Sequence, residues 1–96
     1  MAEYRLLIKP SAAKEIEAVG TKRDRQRIVG RIQSLATEPR PPGSEKLAGP
    51  GALFRVRQGH YRVIYAIDDA HRTIEVIKVG HRREVYRNAP NPAVWT

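Results

Sequence analysis

The spacing of apolar residues changes along the chain, and each change marks a new element. Residues 3–9 (Glu-Tyr-Arg-Leu-Leu-Ile-Lys) form a short apolar-rich run stopped by Pro10, which predicts an opening strand. The spacing then turns helical. Ser11 is suited to cap a short helix over 12–19, in which Ala12, Ile16 and Val19 share one face, and Gly20 ends it. Thr21, with Asp24 three residues on, resembles a capping box and predicts a second helix over 22–37. Its apolar stripe is Ile28, Val29, Ile32, Leu35 and Ala36, and its other face carries Lys22, Arg23, Arg27 and Arg31. Helices this short do not hold their shape alone in water, so the pair is expected to cover a sheet as a hairpin.

Residues 39–52 hold four of the seven prolines and three glycines, which predicts a loop between layers. Beyond it the period becomes two. Leu53–Gln58 sets Phe54 and Val56 against Arg55 and Arg57, and Gly59-His60 is a tight turn. Tyr61–Ile67 sets Tyr61, Val63, Tyr65 and Ile67 against Arg62, Ile64 and Ala66. A second turn at 68–71 leads to a strand over Thr73–Val79 that ends at Gly80. Residues 81–87 read as one helical turn. The order β-α-α-β-β-β predicts an α+β fold, with a helical hairpin on one face of a small, mostly antiparallel sheet and arginines on the other. One domain is expected over 1–87 and a loose tail, with Pro90 and Pro92, over 88–96.

Composition narrows the class. A chain of 96 residues has room for one core, and 41% hydrophobic with 29% charged residues is the balance of a folded domain rather than a disordered one. No apolar run approaches the ~18 residues of a membrane span, and the start lacks the apolar core of a signal peptide, so a cytoplasmic protein is expected. Without cysteine there is neither a disulfide nor a thiolate metal site. The net charge of +8, with thirteen of the eighteen basic residues arginine, favours a polyanionic partner, either nucleic acid or an acidic protein.

The position of the charges says more than their sum. Alternation puts Arg55 and Arg57 on one face, and the tight turn brings Arg62 beside them. Three clustered guanidiniums repel one another, and a solvated face is the bland explanation. The third strand, however, runs into Val79-Gly80-His81-Arg82-Arg83-Glu84-Val85-Tyr86-Arg87, bringing more cations and an aromatic ring to the end of the sheet. Arginine forks match phosphate oxygens and can stabilise a pentacoordinate phosphate, while rings stack on exposed bases. Taken alone, Val85-Tyr86 reads rather as a core anchor for the tail, with the Tyr86 hydroxyl merely satisfied.

Lys46-Leu47-Ala48-Gly49, Phe54-Arg55-Val56-Arg57, Gly59-His60-Tyr61-Arg62-Val63-Ile64-Tyr65 and Val79–Tyr86 together resemble the successive motifs of the RelE family, within the RelE/ParE toxin superfamily. The likeness runs over residues 3 to 87. It implies a type II toxin that cleaves messenger RNA in the ribosomal A site, using neither metal nor cofactor, through attack by the substrate's own 2′-OH. It also implies a cognate antitoxin with an acidic or amphipathic segment, and operator DNA bound only through that antitoxin; no helix-turn-helix is read here. By motif, Arg55 and Arg57 take two basic positions that are lysines in the best-known members. Arg62 is expected to hold the scissile phosphate, Arg82 to serve the leaving group or the developing charge, and Tyr86 to stack on a base. Arg83 and Arg87 are expected RNA contacts. Arginine is a poor general base near neutral pH, so His81 or His60 is the candidate base, with idle turn residues as the alternative; His71 reads as a turn residue. The competing readings are a ParE-like toxin that inhibits DNA gyrase without cutting RNA, a non-catalytic RNA-binding module, and a degenerate toxin that binds only its antitoxin.

Overall fold

Alternating β-branched and aromatic residues supply the centre of the architecture, seen in a computed structural model that describes residues 3–47, 49 and 52–82. The elements are β1 (Arg5–Ile8), α1 (Pro10–Glu17), α2 (Lys22–Leu35), β2 (Glu45–Lys46), β3 (Leu53–Gln58), β4 (Tyr61–Asp68) and β5 (Thr73–His81). They form one five-stranded sheet in the order β1-β5-β4-β3-β2. All neighbours are antiparallel except β1, which runs parallel to β5. The expected α+β arrangement is therefore present, with one added strand: Glu45–Lys46, inside the predicted loop, pairs with Phe54 and Arg55. Two residues are too few to leave a periodic signal.

The helical hairpin covers one face. Ala12, Ile16 and Val19 of the first helical stretch and Ile28, Ile32 and Leu35 of α2 meet Phe54, Val56, Val63, Tyr65, Ile74, Val76 and Val79 of the sheet. Full burial of an aliphatic side chain of this kind contributes roughly 1.5–3 kcal/mol. Val29 departs from the expected stripe: it is one of the exposed large apolar residues, because the arc facing the sheet is centred on Ile28, Ile32 and Leu35. Tyr65 is fully buried, and its hydroxyl donates to the Pro39 carbonyl at 2.7 Å, pinning the loop after α2 to the sheet.

Helix boundaries differ in detail from expectation. Pro10 opens α1, where its missing N–H and fixed φ suit the first turn, so Ser11 lies inside the helix and Lys9 occupies the N-cap. The helix closes at Ala18 in right-handed geometry, without a glycine cap at Gly20. At α2 the expected cap holds: the Asp24 N–H donates to Thr21 Oγ1 at 3.1 Å. The Arg25 guanidinium donates to the Val19 carbonyl at 3.0 Å, fastening the turn between the helices. Gly59 takes φ +60 in the β3–β4 turn, the left-handed geometry that such turns require.

β5 carries an irregularity that shapes one edge. Tyr65 faces Val76 and Ile64 faces Lys78, leaving Ile77 as an inserted residue. β1 covers β5 only over Thr73–Val76, with a last bond from the Lys9 N–H to the Val76 carbonyl. Just past that point Glu15 of α1 takes over: Oε1 accepts from the Val79 N–H at 2.9 Å and Oε2 from Lys78 Nζ at 2.8 Å. On the sheet face away from the helices, Ile64 is fully buried and packs with Leu47, Leu53 and Ile77. That face is therefore not wholly solvated; the loop carrying Leu47 folds over part of it.

β5 continues to His81, so the expected helical turn does not begin there, and Arg82 lies in the turn that follows. The rest of that expected turn and the expected tail lie outside the described residues, as do Arg83, Tyr86 and Arg87.

Candidate nucleic-acid interface

Strand pairing sets the site. In the β3–β4 ladder Arg57 stands directly opposite Arg62, and Arg55 opposite Ile64. A like-charged cross-strand pair costs stability, which a structural role does not explain. Both belong to the wall of a cavity of about 330 Å³, lined by Arg31, Gly43, Glu45, Arg55, Arg57 and Arg62. The volume is at the small end of ligand clefts, which run from ~300 to ~1,000 Å³. Among the described residues, four guanidiniums thus surround a space that holds a single carboxylate.

Local partners orient these cations. Arg55 is bound by Glu45 of β2 at 2.8 Å, its partner in the β2–β3 register. Arg62 donates from Nη1 to the Tyr61 carbonyl at 3.2 Å, with the Gly59 carbonyl at 3.5 Å. Those two carbonyls hold the arm of Arg62 near the β3–β4 turn. Guanidiniums so placed present forks to an anion entering the cavity.

At the same end of the sheet the Arg82 N–H donates to the His60 carbonyl at 2.7 Å, tying the end of β5 to the turn. Arg82 is exposed there. The rings of His60 and His81 stack with centroids 6.0 Å apart, and Tyr61 meets His81 edge-on at 5.8 Å. In the β4–β5 register Tyr61 pairs with His81 and Arg62 with Gly80. Strand alternation therefore puts His81 on the face of Tyr61, which packs against the core, and Arg62 on the other. The structure gathers Arg55, Arg57 and Arg62 into one cavity, and His60, His81 and Arg82 at the adjoining end of the sheet.

Two residues of the cavity escape the sequence reading. Glu45 is missed because a two-residue strand cannot be recognised, although its register with Arg55 makes the pair. Arg31 is read as part of a solvated helix face. Its spacing carries a contrary signal, since it is three residues after Ile28 and four before Leu35, on the arc that turns inward.

A second cationic group lies at the other end of β4. Asp69 accepts from Arg40 at 2.8 and 3.3 Å and from the Tyr4 hydroxyl at 2.6 Å, and the Arg40 guanidinium sits 5.2 Å from the Phe54 ring centroid. The hydrogen bonds from Arg40, then from Tyr4, hold the Asp69 carboxyl below its ordinary range, and the bond to Asp69 raises Tyr4. In the β4–β5 turn His71 hydrogen-bonds Asp68, which lowers that carboxyl too. His71 is thus engaged in the turn, in keeping with its reading as a turn residue.

Comparison with known proteins extends the picture. The family described as the ParE toxin of the type II toxin-antitoxin system, parDE, matches residues 6–86. Toxin RelE of Mycobacterium tuberculosis (strain ATCC 25618 / H37Rv) is 30% identical over 87 residues, covering 91% of this chain and 90% of that protein. Toxin RelG of the same organism is 38% identical over 53 residues, 55% of this chain, and the match spans only 61% of that relative's length. Among solved structures, the archaeal RelE–RelB complex of Pyrococcus horikoshii OT3 aligns with a TM-score of 0.75 at 30% identity, over 83% of this chain and 96% of that one.

Proposed function

The chain belongs to the RelE/ParE superfamily of toxins of type II toxin–antitoxin systems, and from that premise we propose that it is a RelE-like endoribonuclease cleaving messenger RNA in the ribosomal A site. The observation that carries the reading is the cavity in which, among the described residues, Arg31, Arg55, Arg57 and Arg62 surround a single carboxylate. In this reading the substrate's 2′-OH attacks the adjacent phosphorus, the bond to the 5′ oxygen breaks, and a 2′,3′-cyclic phosphate and a 5′-hydroxyl end result. Arg62 and Arg57 hold the scissile phosphate and stabilise the additional negative charge of the pentacoordinate state. Arg55, oriented by Glu45, adds to the same field.

Arg82 stands at the adjoining end of the sheet for the leaving oxygen, with Tyr86 stacking on a base and Arg83 and Arg87 on the flanking backbone. His60 or His81 accepts the proton of the 2′-OH. Their placement at the strand end supports a role through a bound water rather than direct reach for His81, which shares the face of Tyr61. No metal or cofactor enters the scheme. A pH–rate profile unchanged by His60→Ala and His81→Ala would remove both histidines.

The partner in this reading is a cognate antitoxin whose acidic or amphipathic segment covers the basic face, consistent with the +8 charge. The comparison proteins include toxin–antitoxin complexes, as in the RelE–RelB pair of Pyrococcus horikoshii. Operator DNA is reached only through the antitoxin. Among the described residues no helix is long and apolar enough to cross a membrane; the toxin's work on messenger RNA places it in the cytoplasm.

The family described as ParE toxin matches most of the chain, which favours a second reading as a gyrase inhibitor that cuts no RNA. One experiment separates the two. Toxin freed of antitoxin is added to a translating extract and the 5′ ends of messenger RNA are mapped, with Arg82→Ala and Tyr86→Phe alongside. A-site cuts that fade in both variants are the expected result. Intact RNA together with blocked gyrase supercoiling would establish the ParE-like reading.

A further inference from the structure

We infer that Arg31 is an RNA-positioning residue, taking from α2 a backbone phosphate next to the one held by Arg57 and Arg62. The identity of the substrate rests on the ribonuclease reading above. The placement of the residue rests on three observations about α2, the sheet edge and the cavity.

First, Arg31 is half-buried at the margin of the inward arc of α2, just beyond Leu35 from Ile28 and Ile32, each of which is buried. A cation on that arc is expensive unless its head emerges elsewhere. Its head emerges in the cavity, whose other cations come from β3 and β4. Second, β2 pairs only with Phe54 and Arg55, so β3 from Val56 to Gln58 has no neighbour on that side among the described residues. A cavity lined both by α2, on one side of the sheet, and by Arg55, Arg57 and Arg62, on the other, passes that uncovered edge. Third, Arg31 Nε is buried and has no hydrogen-bond partner among the described residues. A guanidinium stays charged at any physiological pH, and a buried donor without an acceptor costs about 1–3 kcal/mol. The one carboxylate among the described residues of the cavity, Glu45, is already engaged by Arg55.

The arrangement is a clamp with unequal jaws. One jaw is the cross-strand pair Arg57–Arg62 on the sheet, and the other is a single guanidinium delivered by a helix. A polyanion with regularly spaced charges satisfies both jaws, whereas an isolated anion satisfies one. Single-stranded RNA is such a ligand, and its phosphates are read by fork-shaped donors independently of sequence.

The test uses the whole protein and ribosomes programmed with a messenger whose A-site codon carries 2′-O-methyl groups and cannot be cut. Binding of wild type, Arg31→Gln and Arg31→Lys is measured with each codon phosphate in turn replaced by a neutral methylphosphonate. Arg31→Gln is expected to bind about tenfold more weakly, the loss of one charge-assisted contact, and Arg31→Lys to recover part of it. At one linkage the neutral replacement weakens wild type by a similar factor and Arg31→Gln no further. Losses that multiply at every linkage, wild-type binding by Arg31→Gln, or no binding by the wild type would each overturn the assignment. Melting curves of the three proteins ensure that a folding defect is not counted as a lost contact. Cleavage of the unmodified codon is scored separately: the linkage-specific coupling without cleavage leaves Arg31 in place and removes the ribonuclease reading.

Discussion

Arginine serves two opposite purposes at the two ends of β4. At the far end Arg40 meets Asp69 twice, lies over the Phe54 ring and shares its carboxylate with Tyr4. One cation faces one anion, and the group fastens the loop after α2 to the β4–β5 turn. At the near end Arg57 faces Arg62 across the ladder, and four guanidiniums surround the carboxylate of Glu45. The lesson is that a residue's type says little until its counter-charges are counted. A balanced cluster closes on itself, while one rich in cations among the described residues offers a place to an anion.

The sharpest way to break this contrast is Arg62→Ala. If the near cluster acts on a phosphate in its transition state, cleavage in the translating extract falls by about 10²–10³-fold, the usual effect of deleting one such donor, and the melting temperature barely moves. Loss of both activity and folding would place Arg62 with Arg40 as a structural residue.

Tyr65 gives the next largest effect. Burial pushes its hydroxyl up to about 12, outweighing the opposing influence of Ser44 and then of the Arg31 and Arg40 charges. A group raised in the folded state contributes stability in full below its unfolded pKa of ~10, and that contribution drains away as pH rises. Between pH ~10 and ~12 the wild type is expected to lose up to about 1.4 kcal/mol per pH unit from this one residue, on the order of 2 kcal/mol in all. In Tyr65→Phe, denaturant melts across that range should show a flatter decline, offset by roughly 1 kcal/mol at neutral pH for the lost bond to Pro39. An unchanged alkaline slope would mean that the hydroxyl ionises freely in the folded protein.

Glu45→Gln sharpens the near cluster by removing its only carboxylate among the described residues. Binding to the uncleavable A-site codon is expected to tighten by about threefold at low salt and to become more salt-dependent, because the cavity gains one net positive charge. Weaker binding would show that orienting Arg55 matters more than the added charge. The smallest effect is at the far end. Asp69 and Asp68, both lowered, contribute stability above the unfolded carboxylate pKa of ~3.9 that is lost as pH falls through their folded values. Asp69→Asn should therefore reduce the acid sensitivity of the melting temperature below pH ~4 and lower it slightly at neutral pH, with cleavage at the wild-type rate.

Much of this was readable from periodicity. The inward residues Phe54, Val56, Val63, Tyr65 and Ile67 and the outward Arg55, Arg57 and Arg62 fall where alternation puts them, because a strand's side chains have only two directions. The α2 cap at Thr21 was legible for a similar reason: a hydroxyl three residues before an available N–H is a local signal. The parallel placement of β1 against β5 was not, since it depends on contacts between residues nearly seventy positions apart. Arg31 and Glu45 were missed for different reasons. One is hidden by treating every helix cation as solvated, the other by a strand too short to have a period. His81 shows the limit of motif reading, because neighbouring positions in a motif can lie on opposite faces once they belong to a strand.

The Glu15 carboxylate at the bulge of β5 has a consequence for misassembly. Where β1 stops, β5 would present an unsatisfied amide to any passing strand, and such edges are where sheets of different molecules join. Here the seal is one side chain from α1 rather than a strand. A single-base change of its codon from Glu to Lys would replace the seal with a second cation beside Lys78. The exposed edge would then face solvent in a protein whose arginine-lined face is untouched, so this position can separate the toxin's solubility from its activity.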